Sequence, residues 1–362
     1  MHHSFGKNKG YPKLRNGIFF LCLFAALLSG CSKVNTPTKN NVEEKSNDYI
    51  TKTDFLLNTV VSINLYDKQD KAILDGCFSM IRRYETIFSR TSEDSELYSL
   101  NHGSAPVVAQ SGGHLTYSIS AELSDLIRYA LHYSDISDGA FDLSVAPITS
   151  LWDFQTDNPA LPDANKLAKA LTLVDYHNFT LKGEEITFAK SGIEIDLGAI
   201  AKGYIADRVK SYLLANGVHS AIINLGGNVL CVGEKPQQVP FLVGVQKPYA
   251  DRNETVAVMK INDLSVVSSG VYERFFKLNG QTYHHILDPR TGYPYDNGLI
   301  SVTILSEKSV DGDGLSTSCF ALGLERGLAL IESLPDTYAV FITEDYELHY
   351  SAGFHTAIQL VD

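Results

Sequence analysis

Aspartate and threonine stand four residues apart in "SVDGDGLSTSCFALG", as Asp313 and Thr317. On a helix that spacing puts a carboxylate and a hydroxyl on one face, where both can serve one hard cation. So sparse a protein ligand set suits magnesium that also takes substrate phosphate oxygens. On spacing alone the stretch reads first as a helix start capped by Asp311 or Asp313. In "GIEIDLGAIAKGYIAD" a short predicted strand delivers Asp196 into a glycine-containing turn that opens a helix, with Lys202 in its first turn. Free N–H groups and the helix dipole make such a start a phosphate seat, or simply a helix start. The segment "HHILDPRTGYP" collects His284, His285, Asp288 and Arg290 around a Pro and Gly turn. It holds reactive groups on a stiff loop end, unless it is a surface turn with a bonded histidine.

Two further stretches carry weaker signals. "INLGGNVLCVG" breaks a buried strand at Gly226 and Gly227, for a close backbone approach or for a β-bulge. "SDGAFDLSVAPITSLWDF" sets Asp142 after an aromatic residue and leads to Trp152, the single tryptophan, through a helix-to-loop transition.

The elements that must position these groups read as mixed α and β. "NTVVSINLYD" alternates as a strand does, whereas "KAILDGCFSMIRRYETIFS" places Ile73, Cys77, Met80, Ile81, Tyr84 and Phe88 at helical spacing. Further helices are predicted over "SAELSDLIRYALHYSDISDG", stopped by Gly139, and "GYIADRVKSYLLANG", stopped by Gly217. The second half is rich in strand patterns: "HSAIINLGG", "FLVGVQ", "TVAVMKI", "LSVVSSG", "ERFFKLNGQTYHHIL", "ISVTILS", "YAVFIT" and "ELHYS". Asn279-Gly280 is the strongest hairpin cue. No internal repeat is visible.

The start of the chain says where these groups work. A basic segment with Lys7, Lys9, Lys13 and Arg15 precedes the apolar "GIFFLCLFAALL" and then "LLSGC", the layout of a secretory signal peptide over residues 1–30. Ser29 and Gly30 before Cys31 resemble a bacterial lipobox, so Cys31 is expected to carry lipid and to anchor the protein on the extracytoplasmic face of the cell membrane. Residues 31–48 are polar and read as a flexible tether, leaving 49–362 as the body. A formal charge of -12 argues against nucleic acid as partner. Cys77, Cys231 and Cys319 lack metal-like spacing and are expected as buried thiols with at most one disulfide.

Taken in order, "FSRTSEDSELYSLN", "GAFDLSVAPITSLWDF", "IDLGAIAKGYIAD", "NLGGN", "VSSGVYERFF", "HHILDPRTGYP" and "DGLSTSCFALG" resemble the FAD:protein FMN transferases, from about Asp54 to Phe354. The resemblance implies an α+β fold: a mixed, mostly antiparallel sheet with flanking helices, a T-fold-like core, and FAD in a cleft between two unequal, interleaved lobes. It implies Mg²⁺ held by the Ala199 carbonyl, the Asp313 carboxylate and the Thr317 hydroxyl. It sets Asp196, Lys202 and Ile286 at FAD, with Ala140, Phe141 and Asp142 on another wall, and Leu57 and Thr91 near the flavin. The implied reaction moves the FMN part of FAD to a threonine hydroxyl of a partner flavoprotein, with release of AMP. His285, the group nearest neutral titration, is the candidate general base, since Asp313 is committed to metal. Two departures stand out: Leu57-Asn58-Thr59 replaces the usual "MGT", and Thr91 stands where relatives often carry an aromatic residue. An FAD pyrophosphatase, or a non-catalytic flavin-binding lipoprotein, would use the same residues.

Overall fold

A computed structural model describes residues 48–251 and 254–361, which belong to one compact unit. The leader, Cys31 and all of the tether but Asp48 lie outside the described residues. The chain opens with a hairpin of β1 (Ile50–Leu56) and β2 (Thr59–Leu65), then α1 (Lys71–Phe88) and the short α2 (Glu96–Asn101). Next come β3 (Val107–Ser111), β4 (His114–Ser118), α3 (Ala121–Ile136), α4 (Ala146–Thr149) and α5 (Ala164–Leu171), followed by β5 (Phe179–Lys182) and β6 (Glu185–Phe188). Helix α6 (Ala201–Ala215) leads into β7 (Ala221–Leu225), β8 (Asn228–Val232), β9 (Phe241–Gln246), β10 (Thr255–Ile261) and β11 (Ser265–Gly270). The hairpin β12 (Phe275–Leu278) and β13 (Gln281–His284) precedes β14 (Leu299–Ser306), α7 (Ser309–Leu322) and α8 (Leu324–Glu332). The chain finishes with β15 (Tyr338–Thr343), β16 (Leu348–Tyr350), α9 (Phe354–Ala357) and β17 (Gln359–Leu360).

An open sheet in the order β1-β2-β7-β8-β11-β14-β15-β16 forms the backbone of the unit, and each of its pairings is antiparallel. Strand β14, "LISVTILS", is buried along its whole length, as expected for a central strand covered on both faces. Helices α1, α6, α7 and α8 pack against it and its neighbours. Smaller antiparallel sheets, β3-β4-β6-β5 and β17-β10-β9, and the β12-β13 hairpin complete the fold. Asn279 and Gly280, both at positive φ, make the expected tight turn of that hairpin.

One expectation needs correction. The stretch preceding Asp196 is extended but pairs with no strand. The side chain of Asn101 holds it instead, accepting from Ile195 N–H at 2.8 Å and donating to the Ile195 carbonyl at 2.8 Å. Gly226 and Gly227 do break the strand for a close backbone approach, as the two-residue turn between β7 and β8 and not as a bulge. A side chain at Gly226 would begin 2.2 Å from Thr59 Oγ1, so this turn locks onto the tip of the first hairpin. The β3-β4-β6-β5 sheet has no counterpart among the predicted strands; every residue of β3 is exposed, so no apolar alternation marks it. All three described cysteines are buried and free.

Helix α7 departs most from amphipathic design, being buried almost all round. Its glycines fit neighbours: a Cβ at Gly312 would lie 2.6 Å from Val267 Cγ2, and one at Gly314 2.3 Å from the Tyr133 ring. Helix propensity alone favours Gly314→Ala by about 1 kcal/mol. The clash with Tyr133 reverses the sign, and a net loss of about 1–3 kcal/mol is expected. Urea unfolding of Gly314→Ala against the parent chain measures it; an equal or higher midpoint would show that Tyr133 moves aside at no cost.

Candidate active site

Helices α6 and α7 meet at a point where one of them has no side chain. A Cβ on Gly203 would stand 2.2 Å from the Ser309 carbonyl oxygen, so only glycine allows this approach. Two consequences follow from the contact. The Asp207 side chain, one turn along α6, accepts from Ser309 N–H at 2.8 Å and Val310 N–H at 2.9 Å and so caps α7. Burial pushes that carboxyl up to about 6, against the pull of its two donors. Capping is therefore done from outside, and Asp313 is free of that role. Asp311 is likewise engaged elsewhere, with the Tyr133 hydroxyl at 2.7 Å.

Asp313 itself is buried, at 4% exposure, with a donor on each oxygen. Oδ2 takes Gly203 N–H at 2.5 Å and Oδ1 takes Asn228 Nδ2 at 3.0 Å. Gly203 N–H belongs to the first turn of α6, where N–H groups have no partner within the helix, and Asp313 supplies one. Ala199 precedes α6, and its carbonyl takes no hydrogen bond among the described residues. Thr317, a turn beyond Asp313, is one of the few part-exposed positions on α7, and its hydroxyl meets Ser269 Oγ at 3.1 Å. A carboxylate, an unbonded carbonyl and a part-exposed residue's hydroxyl are all hard oxygen donors, which fits a magnesium-like ion. Among the described residues there is no cluster of three or more His, Cys, Asp or Glu side chains that could hold a metal by themselves. A cation here would need the carbonyl, the hydroxyl and substrate oxygens.

Lys202 adjoins this seat and, with Arg274, acts electrostatically on His285. Among the described residues neither cation has an ion-pair partner. Two cations without ion-pair partners attract phosphate. His285 retains some exposure at its edge, yet burial of its ring, then Arg274, His284 and Lys202, push its pKa down to about 3. It is therefore neutral at physiological pH. Its Nδ1 faces the Arg274 carbonyl at 3.3 Å, and since a carbonyl only accepts, the proton sits on Nδ1 and Nε2 is left as acceptor.

The two adjacent histidines do different work. His284 is buried, with Nε2 bonded to the Tyr295 carbonyl at 2.9 Å and Nδ1 near Ile286 N–H at 3.3 Å. It closes the loop rather than serving it. Asp288 accepts from Arg290 N–H, Gly292 N–H bonds to the Asp288 carbonyl, and Trp152 Nε1 donates to the Gly292 carbonyl at 3.0 Å. Gly292 sits at φ 72° against Leu167, which a side chain would strike at 2.6 Å. Ile286 is buried, and the Tyr295 hydroxyl donates to the Ala140 carbonyl at 3.0 Å, joining this loop to the 140–142 segment.

Phe141 is buried, and the Asp142 carboxylate turns inward to Ser144 N–H and Oγ and to Tyr176 N–H. Burial raises its pKa while those bonds oppose the rise. Asp142 thus shapes its wall and presents no free carboxylate. Asp196 accepts from Arg90 Nε at 2.8 Å, from Thr149 Oγ1 at 3.3 Å and from Gly198 N–H at 2.8 Å. Arg90 in turn donates to Ser150 Oγ at 3.0 Å. Thr91 is exposed and bonded only to Ser89, so its neighbour Arg90 is the residue built into this wall. Leu57 is at φ 55° in the turn of the first hairpin, with its N–H on Glu85 Oε1 at 2.9 Å. Arg90, Asp207 and Asn228 were not singled out from the sequence. Their roles lie in contacts across the fold, and only the presence of each inside a quoted motif hinted at them.

Solved structures share this architecture. The flavin transferase ApbE from Vibrio cholerae superposes with a TM-score of 0.75 over 85% of this chain and 98% of its own, at 23% identity. The apbe protein from Thermotoga maritima gives 0.75 over 85% and 98%, at 30% identity. A protein of Klebsiella pneumoniae called FAD:protein FMN transferase is 37% identical over 82% of this chain and 90% of its own. One of the same name from Treponema pallidum is 33% identical over 86% and 89%. The chain is a transferase, as these relatives are named. The chain belongs to the ApbE family, whose sequence pattern matches residues 57–342.

Because His285 is held neutral, it cannot supply a titration near 6.5 in the free protein. The pH dependence of kcat/KM for FAD reports free-enzyme groups. Its inflections between pH 5 and 8 are expected at the same places in the parent and in His285→Gln, with only the height reduced. An inflection near 6.5 that vanishes in the variant would show that His285 titrates there after all.

Proposed function

We propose that this chain is an FAD:protein FMN transferase that joins the FMN part of FAD to a threonine hydroxyl of an acceptor flavoprotein and releases AMP. The observation that supports this reading is the buried, doubly held Asp313 carboxylate at the start of α6, with Lys202 and Arg274 lacking ion-pair partners among the described residues. Ala199, Asp313 and Thr317 would hold Mg²⁺, which when bound neutralises charge on a diphosphate. Lys202 and Arg274 add fixed positive charge for the phosphates, and positioning with charge neutralisation is most of what phosphoryl transfer requires. The threonine oxygen bonds to the FMN-side phosphorus while the bond from that phosphorus to the AMP oxygen breaks. Nε2 of His285 is the free acceptor for the threonine proton. Its depressed pKa makes it a weak base, so it works late, as the hydroxyl becomes acidic in the transition state. The buried Ile286 and the wall of Ala140 and Phe141 give the flavin apolar surface.

The N-terminal sequence supports an extracytoplasmic site of action, with Cys31 lipidated and residues 31–48 as tether. A water molecule in place of the threonine would make the same site a pyrophosphatase.

The test mixes the chain from Ser32 onward with FAD, Mg²⁺ and an FMN-accepting flavoprotein domain, and reads the acceptor by intact-protein mass spectrometry. One added FMN is expected, abolished by EDTA. In Asp313→Ala the rate should fall at least a hundredfold, and in Lys202→Met about ten- to a hundredfold, in line with loss of one charge-stabilising group. An unchanged acceptor with FMN and AMP accumulating would make the protein a hydrolase. FAD left intact would make it a binding protein.

A further inference from the structure

One buried polar chain in the molecule is not accounted for by binding or by helix capping. Ser265 Oγ donates to Ser309 Oγ at 2.9 Å, Ser309 Oγ donates to Asn228 Oδ1 at 2.8 Å, and Asn228 Nδ2 donates to Asp313 Oδ1 at 3.0 Å. Ser265 and Ser309 are 0% exposed, Asn228 2% and Asp313 4%, so no water competes for these bonds. Stability alone would be served as well by apolar residues of similar volume. A fully satisfied polar chain instead specifies one arrangement of its members.

The order of donors makes that arrangement directional. The carboxylate only accepts, so the Asn228 NH₂ must face Asp313, and Asn228 Oδ1 is left to take the Ser309 hydroxyl proton. The flipped amide would set its oxygen against Asp313 and lose that bond. From the opposite side Gly203 N–H holds the other carboxylate oxygen. Asp313 is thereby clamped between β8 and α6, and its orientation does not depend on α7 alone. The Gly226-Gly227 turn is what brings Asn228, the first residue of β8, to this position.

We propose that Asn228 is the positioning residue of the cation seat: held by Ser309 and Ser265, it fixes the Asp313 carboxylate in the orientation that binds the metal. The inference rests on the reading of Ala199, Asp313 and Thr317 as a metal seat. Loss of a group that orients a metal ligand typically costs ten- to a hundredfold in affinity.

The test titrates the full-length chain in detergent with Mn²⁺ and follows the free ion by electron paramagnetic resonance, with the metal-free thermal midpoint recorded in parallel. Asn228→Ala is expected to bind Mn²⁺ about ten- to a hundredfold more weakly. Ser309→Ala, which frees the amide, should weaken binding by a smaller factor. The double variant should bind no more weakly than Asn228→Ala, since both act through one path. Lowered thermal midpoints with Mn²⁺ affinity kept within twofold would make the chain merely structural and overturn the proposal. If Asn228→Ala does not fold, Ser309→Ala decides: weaker binding upholds the proposal and parent-like binding overturns it. A parent chain that takes up no Mn²⁺ overturns the metal seat and the positioning role together, whereas binding lost in Asp313→Ala but kept in Asn228→Ala sinks the positioning role alone.

Discussion

The absence of a side chain at Gly203 is the constraint on which the site depends. With no Cβ there, the start of α6 reaches the backbone of α7 at Ser309. That approach lets Asp207 cap α7 from outside and lets the first-turn Gly203 N–H reach Asp313. Each contact alone is an ordinary way to satisfy a helix start. Together they tie two packed helices to one buried carboxylate.

The electrostatics follow the same division of labour. The negative groups, Asp142 buried and Asp207 and Asp196 half-buried, are each bonded: Asp207 by two backbone donors, Asp142 by Ser144 and Tyr176, and Asp196 by Arg90. Among the described residues Lys202 and Arg274 have no ion-pair partner, and they help to keep His285 neutral. A chain of net charge -12 thus presents a local positive field where an anionic substrate would arrive. Holding His285 uncharged also prevents a third cation from crowding the phosphate seat, and it preserves Nε2 as an acceptor.

Much of the fold was legible because it is written locally. Apolar alternation marked β2, β7, β9, β10, β11, β14 and β15, helical spacing marked α1, and Asn279-Gly280 fixed the β12-β13 register. The β3-β4-β6-β5 sheet escaped because β3 exposes all its residues and β5 and β6 have four residues each, too few for a period to show. The stretch before Asp196 read as a strand because its apolar residues do alternate inward. Its hydrogen bonds, however, go to the side chain of Asn101, a partner that no local pattern announces. The same limit applies to the site. Asp313, Thr317, Lys202 and His285 are visible as reactive types at telling spacing. Asp207 reads as one more solvated helix residue, Asn228 as the end of a turn, and Arg90 as a surface charge, until the fold brings each to its partner.

The first hairpin connects these supports. Its turn places Leu57 at φ 55° and Asn58 at φ 56°, the two left-handed positions that favour Asn-Gly. A leucine there costs of order 1–3 kcal/mol and persists only where the surroundings hold it. Two contacts do so: Leu57 N–H is bonded to Glu85 on α1, and Thr59 lies under Gly226. Helix α1 runs on to Arg90, which holds Asp196, and the Gly226-Gly227 turn runs on to Asn228, which holds Asp313. The strained tip therefore draws on the same two elements that hold Asp196 and Asp313. Both of its contacts, one from the Leu57 backbone N–H and one from Thr59, are independent of the Leu57 side chain, so they fix the place of the turn and not the residue in it.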